Sequence, residues 1–114
     1  MFANRLNAST KHTALVLAAL GDKTRLRLVA RLAASEPLSI TRLSSGTRMT
    51  RQAVTKHLHV LERAGVAKGH RRGREHFWEL NPAQLREARR QLDQIAGQWD
   101  DALARLKASV ESRR

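Results

Sequence analysis

From Thr50 to Gly65 the chain reads TRQAVTKHLHVLERAG, with large aliphatic residues at Val54, Leu58 and Leu61 and polar ones at most positions between them. At about 100° per residue, Arg51, Thr55, His59, Gln52, Arg63 and Lys56 share an arc of about 140°. Val54, Leu58 and Leu61 gather on the far side, with His57 and Ala64 beside them. The spacing predicts an amphipathic helix that buries one face and leaves the other cationic and rich in hydrogen-bonding groups. Thr50 stands where an N-cap belongs, and Gly65 where the helix should stop.

Upstream, Met1 to Ser9 is polar and without period, which predicts a flexible segment over residues 1–9. The run ALVLAAL, capped by Thr10 or Thr13, is apolar on nearly every side and predicts a helix covered by more than one neighbour. Gly21 ends it, and Asp22 caps a second helix, about Lys23 to Ala34. Leu26, Val29, Ala30 and Ala33 make its inner stripe, with Arg25, Arg27 and Arg31 flanking. SEPLS reads as a loop, and Ser39 as the cap of a short helix through Ile40, Leu43 and Ser44 that Gly46 stops. Two helices joined by a tight, Gly-containing turn make a helix-turn-helix pattern.

After Gly65 the period changes from helical to alternating. VAKGHR and EHFWEL read as two strands about the turn RRGR, where Gly73 can take positive φ. Trp78 and Leu80 share the core side of their strand, and Phe77 faces the other way as a shielded surface aromatic. Asn81-Pro82 opens a last helix running to Ser112, about 45 Å at 1.5 Å per residue. The whole is mainly α with a small β-hairpin. It forms one domain over residues 10–112, closing with the helix over 82–112 and a tail at 113–114. Along that helix Leu85, Ala88, Leu92, Ile95, Trp99, Ala102 and Leu106 recur at spacings of three and four, widened by Ala96, Leu103 and Val110. A helix this long outruns the core of so small a domain, so the seam predicts an interface with a second copy.

Charge narrows the choice of partner. Twenty-two Lys and Arg stand against ten Asp and Glu, a formal net charge of +12, which points to double-stranded DNA ahead of a membrane surface. No carboxylate occurs between Pro37 and Leu61, so nothing there repels phosphate. The exposed face of the Thr50–Arg63 helix offers guanidinium, amide, hydroxyl and ammonium groups, which can bond base edges as well as backbone. Arg71, Arg72 and Arg74, at the hairpin turn, suit a phosphate backbone or a minor groove.

Other chemistry is thin. The chain has no cysteine, which removes disulfides, thiolate metal sites and cysteine nucleophiles and suits a reducing cytoplasm. It has no run of about 18 apolar residues, and Ala14 to Leu20 lacks a signal-peptide cleavage site. The expectation is a soluble cytoplasmic protein. Glu36, Glu62, Glu75 and Glu79 are scattered, and Gly69 and Gly73 belong to a basic hairpin rather than a phosphate loop. Neither an enzyme nor a cofactor is expected.

In order over about Leu15 to Leu80, the stretches ALGDKTRLRLVARL, LSITRLS, TRQAVTKHLHVLERAGV and GREHFWEL resemble the ArsR/SmtB family of winged-helix bacterial transcriptional repressors. The resemblance implies a winged helix-turn-helix dimer whose terminal helices cross. Thr50, Arg51, Gln52, Thr55, Lys56 and His59 would face DNA, with Arg71 to Arg74 at the wing tip. Leu15 of the first helix would join Leu85, Leu92, Ile95, Trp99, Ala102, Leu103 and Leu106 in the dimer interface. His57 matches the family's KHL histidine and reads as packed; Lys23 stands where relatives often have proline.

Many such relatives sense metals. The thiolate sites need cysteines, and RLSSGT has none; a site on the last helix needs histidine, and Pro82 to Arg114 has none. His57 and His59 point apart, and His70 and His76, across the hairpin, form a poor cage without carboxylates. His12 with Asp93, Asp100 or Asp101 of a second copy is the remaining arrangement. No specific metal is expected, and the tail QWDDALARLK resembles that of members lacking metal ligands. That leaves a small organic effector or none. Two alternatives stay open: a non-specific architectural DNA-binding protein, and a metal-responsive repressor with an inconspicuous site.

Overall fold

Three helices begin where a side-chain oxygen can accept from a backbone N–H left without an intrahelical partner. Asp22 accepts from Arg25 N at 3.0 Å, Ser39 from Arg42 N at 3.2 Å and Thr50 from Ala53 N at 3.1 Å. The computed structural model describes residues 2–113, with side chains from residue 8 onward. Its elements are α1 (Phe2–Leu20), α2 (Lys23–Ala33), β1 (Leu38–Ser39), α3 (Ile40–Ser44), α4 (Arg51–Arg63), β2 (Ala67–Arg72), β3 (Glu75–Leu80) and α5 (Pro82–Ser112). The strands form one antiparallel sheet in the order β1-β3-β2.

Four expectations need correcting. Helix α1 starts at Phe2, so Thr10 and Thr13 lie inside it rather than at its cap, and the polar opening residues extend it; residue 1 lies outside the described residues, as does residue 114 of the tail. SEPLS is not all loop: Leu38 and Ser39 pair with Trp78 and Phe77 as a third strand. The inner stripe of α2 is Leu28, Val29 and Leu32, whereas Leu26, Ala30 and Ala33 are exposed. Asn81 makes no side-chain cap, and its N–H donates instead to Val66 O at 2.8 Å.

The core sits where α4, α2, α3 and the sheet converge. Val54, Leu58 and Leu61 of α4 are at most 1% exposed, and Leu43, Val66 and Trp78 are as deeply buried. Each such side chain contributes about 1.5–3 kcal/mol relative to exposure. Leu85, half-buried in the first turn of α5, packs against this same core. Farther along α5 the core ends. The radius of gyration is 19.3 Å, against about 13 Å for a compact domain of this length, and the molecule extends 70 × 35 × 21 Å. Leu92, Ile95, Trp99, Leu103, Leu106 and Val110 of α5 stand exposed, as does Leu15 of α1, while Ala102 is half-buried.

Polar side chains join α1 to α5. Gln91 Nε2 donates to Thr10 Oγ1 at 3.0 Å and Ser9 Oγ to Glu87 Oε1 at 3.5 Å, while Arg90, on α5 itself, forks onto the same carboxylate. His12 Nε2, Thr13 Oγ1 and Gln91 Oε1 are buried there with no hydrogen-bond partner among the described residues, which weakens the joint.

The hairpin turns at Gly73, whose φ of 63° suits a two-residue connection. Gly69 has a different reason to be glycine. It pairs with Trp78, and a Cβ there would lie 2.5 Å from His76 Nε2 and 3.0 Å from two atoms of the indole. Because the Trp78 ring is buried, it has nowhere to retreat. Gly69→Ala should therefore lower stability by about 1–3 kcal/mol, seen as a lower urea midpoint at unchanged slope. An unchanged midpoint would show that the hairpin has room the packing denies.

Candidate nucleic-acid interface

Burying Val54, Leu58 and Leu61 leaves helix α4 one way to present its other side. Arg51, Gln52, Thr55 and Lys56, with Ile40 of α3, line a single outward concavity of about 450 Å³. Four of the six residues of the expected polar arc thus share a surface with two chemistries, the cations Arg51 and Lys56 with the amide of Gln52 and the hydroxyl of Thr55, whereas Arg63 lies beside Leu15 and Ala18 of α1. The Thr55 hydroxyl donates to Arg51 O at 2.7 Å, leaving its oxygen free to accept. Thr50 is exposed beside this face, its oxygen engaged as the cap.

His59 is not part of that concavity. Its ring meets Trp78 edge-on with centroids 5.6 Å apart, and Nδ1 lies 3.3 Å from Glu62 Oε1. It ties α4 to the base of the hairpin, although it stays partly exposed. His57 is packed, as expected: Nδ1 lies 3.4 Å from an Arg25 guanidinium nitrogen and 4.0 Å from Asp22 Oδ2.

The three hairpin arginines are all exposed but do not form one patch. The register sets Arg71 opposite His76 and Arg72 opposite Glu75, so Arg71 and Arg72 fall on opposite faces of the ribbon. The Arg72 guanidinium lies 5.6 Å from the centre of the Phe77 ring, and His70 stacks on the same ring at 6.2 Å. Phe77 is thus shielded as expected. Arg74 occupies the turn beside Gly73.

Two arginines of α2 have a structural task that the sequence reading missed. Arg25 Nε donates to Ala19 O at 2.6 Å, joining α2 to the end of α1. Arg31 donates from Nη1 to Leu43 O at 2.8 Å and from Nη2 to Arg42 O at 3.0 Å, closing the end of α3. Both satisfy carbonyls that a short or ended helix leaves open. Their clue was spacing: each lies three residues from the buried Leu28, Arg25 before it and Arg31 after it.

The turn between α3 and α4 passes through Gly46 at φ 78°, and the pairing of helix, turn, helix and ribbon is that of a winged helix-turn-helix. A family model described as "Helix-turn-helix domain" matches residues 20–70. The chain is 33% identical to HTH-type transcriptional regulator Rv2034 of Mycobacterium tuberculosis over 82% of this chain and 84% of that one. A solved ArsR-like transcriptional regulator from Rhodococcus sp. RHA1 superposes with a TM-score of 0.78 at 32% identity, covering 88% of this chain and 93% of that chain. The chain belongs to the ArsR family. A Mycobacterium bovis winged helix-turn-helix domain, titled homodimeric and a possible ArsR-family regulator, shares the fold with a TM-score of 0.65 at 21% identity, over 82% of this chain and 85% of that one.

As an ArsR-family protein this is a DNA-binding transcription regulator with a winged helix-turn-helix, and its family is not one of enzymes. No group of three metal-ligating side chains comes together among the described residues. His70 and His76 are one register step out of line: His70 pairs with Phe77 and His76 with Arg71, so the two imidazoles lie on opposite faces rather than across from each other. No described helix is long and apolar enough to cross a membrane.

One charge in this frame is measurable through pH. The backbone N–H of Arg25 holds the Asp22 carboxyl below its ordinary value of 3.8, with help from the nearby Arg25 and His57 charges. A depressed carboxylate stabilises the fold fully above its unfolded value and loses that contribution as pH falls through the lower folded one. Asp22→Asn keeps a cap acceptor but removes the titration. Its melting temperature should fall less steeply than the parent's between about pH 5 and about pH 2; parallel curves would deny Asp22 any part in acid stability.

Proposed function

We propose that this regulator binds a near-palindromic operator as a homodimer and represses transcription by occupying it. The observation that carries the reading is the Arg51, Gln52, Thr55 and Lys56 concavity on the outward side of a helix whose large inward aliphatics, Val54, Leu58 and Leu61, are buried. Arg pairs with guanine, Gln with adenine, Thr with either, and Lys with the backbone. Thr50 lies within reach of phosphate at the same helix end, and His59 contributes at the edge while bracing the ribbon. Arg71, Arg72 and Arg74 track phosphate on either side of the wing tip.

The dimer reading rests on α5. Six large apolar side chains from Leu92 to Val110 stand exposed on one helix, which is more than a monomer of this size leaves bare. A second copy laid along Leu92, Ile95, Trp99, Ala102, Leu103 and Leu106, with Leu15 of α1 beside them, covers the seam. The Mycobacterium bovis winged helix-turn-helix domain, described as homodimeric, supports this arrangement. Two copies of α4 about 34 Å apart then meet successive major grooves on one side of the duplex. No cofactor is needed for this, and a small-molecule effector is compatible with it.

The alternative, a non-specific architectural protein, needs only cations. The amide and hydroxyl groups in the concavity favour reading bases instead. Selection of bound DNA from a random pool, followed by competition with scrambled sequence, tests the choice. A symmetric consensus is expected; equal competition by scrambled DNA would leave only the architectural reading.

Arg51→Ala and Gln52→Ala should each cost about 1–3 kcal/mol on the selected site and relax preference at one base position. Arg72→Ala should weaken all sequences alike and flatten the salt dependence. Leu92→Asp and Trp99→Asp should give monomers in sedimentation and lose most operator binding. A DNA-competent dimer in both variants would place the interface elsewhere.

A further inference from the structure

A second cavity, of about 650 Å³, lies between α2 and the turn that precedes α4. Leu28, Met49 and Val54 give it an apolar floor, and Arg27, Arg31 and Arg48 line it with three guanidinium groups. None of the residues lining it is acidic, and none of the three arginines forms an ion pair among the described residues. Arg31 is held in place by its two carbonyl bonds, which engage two of the five N–H donors of a guanidinium. Arg27 and Arg48 are exposed at the rim.

Like-charged groups around a partly open, oily hollow repel one another without a counter-ion. The volume falls in the range of small-molecule sites, which combine apolar walls with a few polar anchors. We propose that this cavity is an effector site for a small amphipathic carboxylate, its apolar part on Leu28, Met49 and Val54 and its charge among the three arginines. A DNA phosphate would use the arginines but leave the apolar floor without purpose, so the floor selects a ligand with a hydrocarbon body. Met49 adapts to such a body more readily than a branched residue does.

The position also assigns the direction of the effect, on the reading that α4 binds an operator. Val54 lines this cavity from one side of the first turn of α4, while Arg51, Gln52 and Thr55 line the DNA-facing concavity on the other. Arg48 and Met49 directly precede Thr50, whose hydroxyl caps the helix. An anion seated here cancels positive charge next to the DNA-reading face and repels the phosphates approaching it. An occupant therefore loosens DNA and acts as an inducer.

Isothermal titration of the full-length, DNA-free protein with decanoate, decan-1-ol and inorganic phosphate tests the site, because the last two probes carry only one half of its chemistry. Decanoate should bind at least about tenfold tighter than either, and Arg27→Ala/Arg48→Ala should lose about tenfold or more of that affinity while melting like the parent. Saturating decanoate should lower affinity for the selected DNA by about tenfold, within the usual range of effector coupling. The proposal fails if decanol binds as well as decanoate, or if the double variant binds decanoate unchanged. It also fails if the parent binds no decanoate and the double variant only loses affinity for every DNA sequence, since the arginines are then phosphate contacts. Arginine-dependent decanoate binding by a chain that selects no DNA would support the anion site and overturn the operator reading instead.

Discussion

Everything outward about this molecule depends on how one helix is rolled. Helix α4 buries Val54, Leu58 and Leu61 to at most 1% exposure, and together those side chains stabilise the fold by several kcal/mol, on the order of its entire margin. Turning the helix by one residue, about 100°, would expose them and bury guanidinium and amide groups without partners. The core therefore fixes the rotational phase, and the phase decides that Arg51, Gln52, Thr55 and Lys56 share one outward concavity. Specificity in the interior sets the chemistry of the surface.

The positive charge of the chain divides into groups with unlike tasks. Arg25 and Arg31 each direct part of their guanidinium to carbonyls at the ends of α1 and α3, so they hold helices together, and Arg31 still presents its charge to the cavity beside α2. Arg71, Arg72 and Arg74 project from the ribbon, two of them on opposite faces. Arg90 belongs to Glu87, whose carboxyl is lowered chiefly by its hydrogen bonds from Arg90. A net charge of +12 is thus a poor measure of what a polyanion meets. The local absence of carboxylates from Pro37 to Leu61 is a better one, because it concerns the residues nearest the concavity.

Much of this was legible in the sequence where one residue type serves one purpose. The caps at Asp22, Ser39 and Thr50, the positive φ at Gly46, Gly65 and Gly73 and the span of α5 follow from local rules. The phase of α4 was equally clear, since its three large aliphatics lie on one side. Helix α2 was ambiguous because Leu26 and Leu28 both start plausible apolar stripes; the structure buries the stripe with two leucines and leaves the one completed by alanines outside, which buries more apolar area. Strand β1 was hidden because two residues carry no period, and only pairing with β3 defines them. His59 looked like part of the polar arc because helical angle says nothing about the neighbouring sheet. Gly69 was invisible for a related reason: its need for a missing Cβ arises across the ribbon, from Trp78.

That pairing of Gly69 with Trp78 explains why the ribbon and α4 behave as one unit. Trp78 is buried in the core that α4 closes, and its indole also takes His76 as a stacked neighbour at 4.8 Å and His59 of α4 at its edge. A side chain at position 69 would crowd both His76 and the indole. The hairpin base and α4 are therefore joined through a ring that neither can move alone. On the other face of the ribbon Phe77 takes His70 and Arg72 as ring neighbours, and the turn at Gly73 and Arg74 is exposed. A packed base and an exposed tip suit the two demands of the proposed reading: a helix that meets bases at fixed positions, and a cationic tip that follows a phosphate chain whose course changes with sequence.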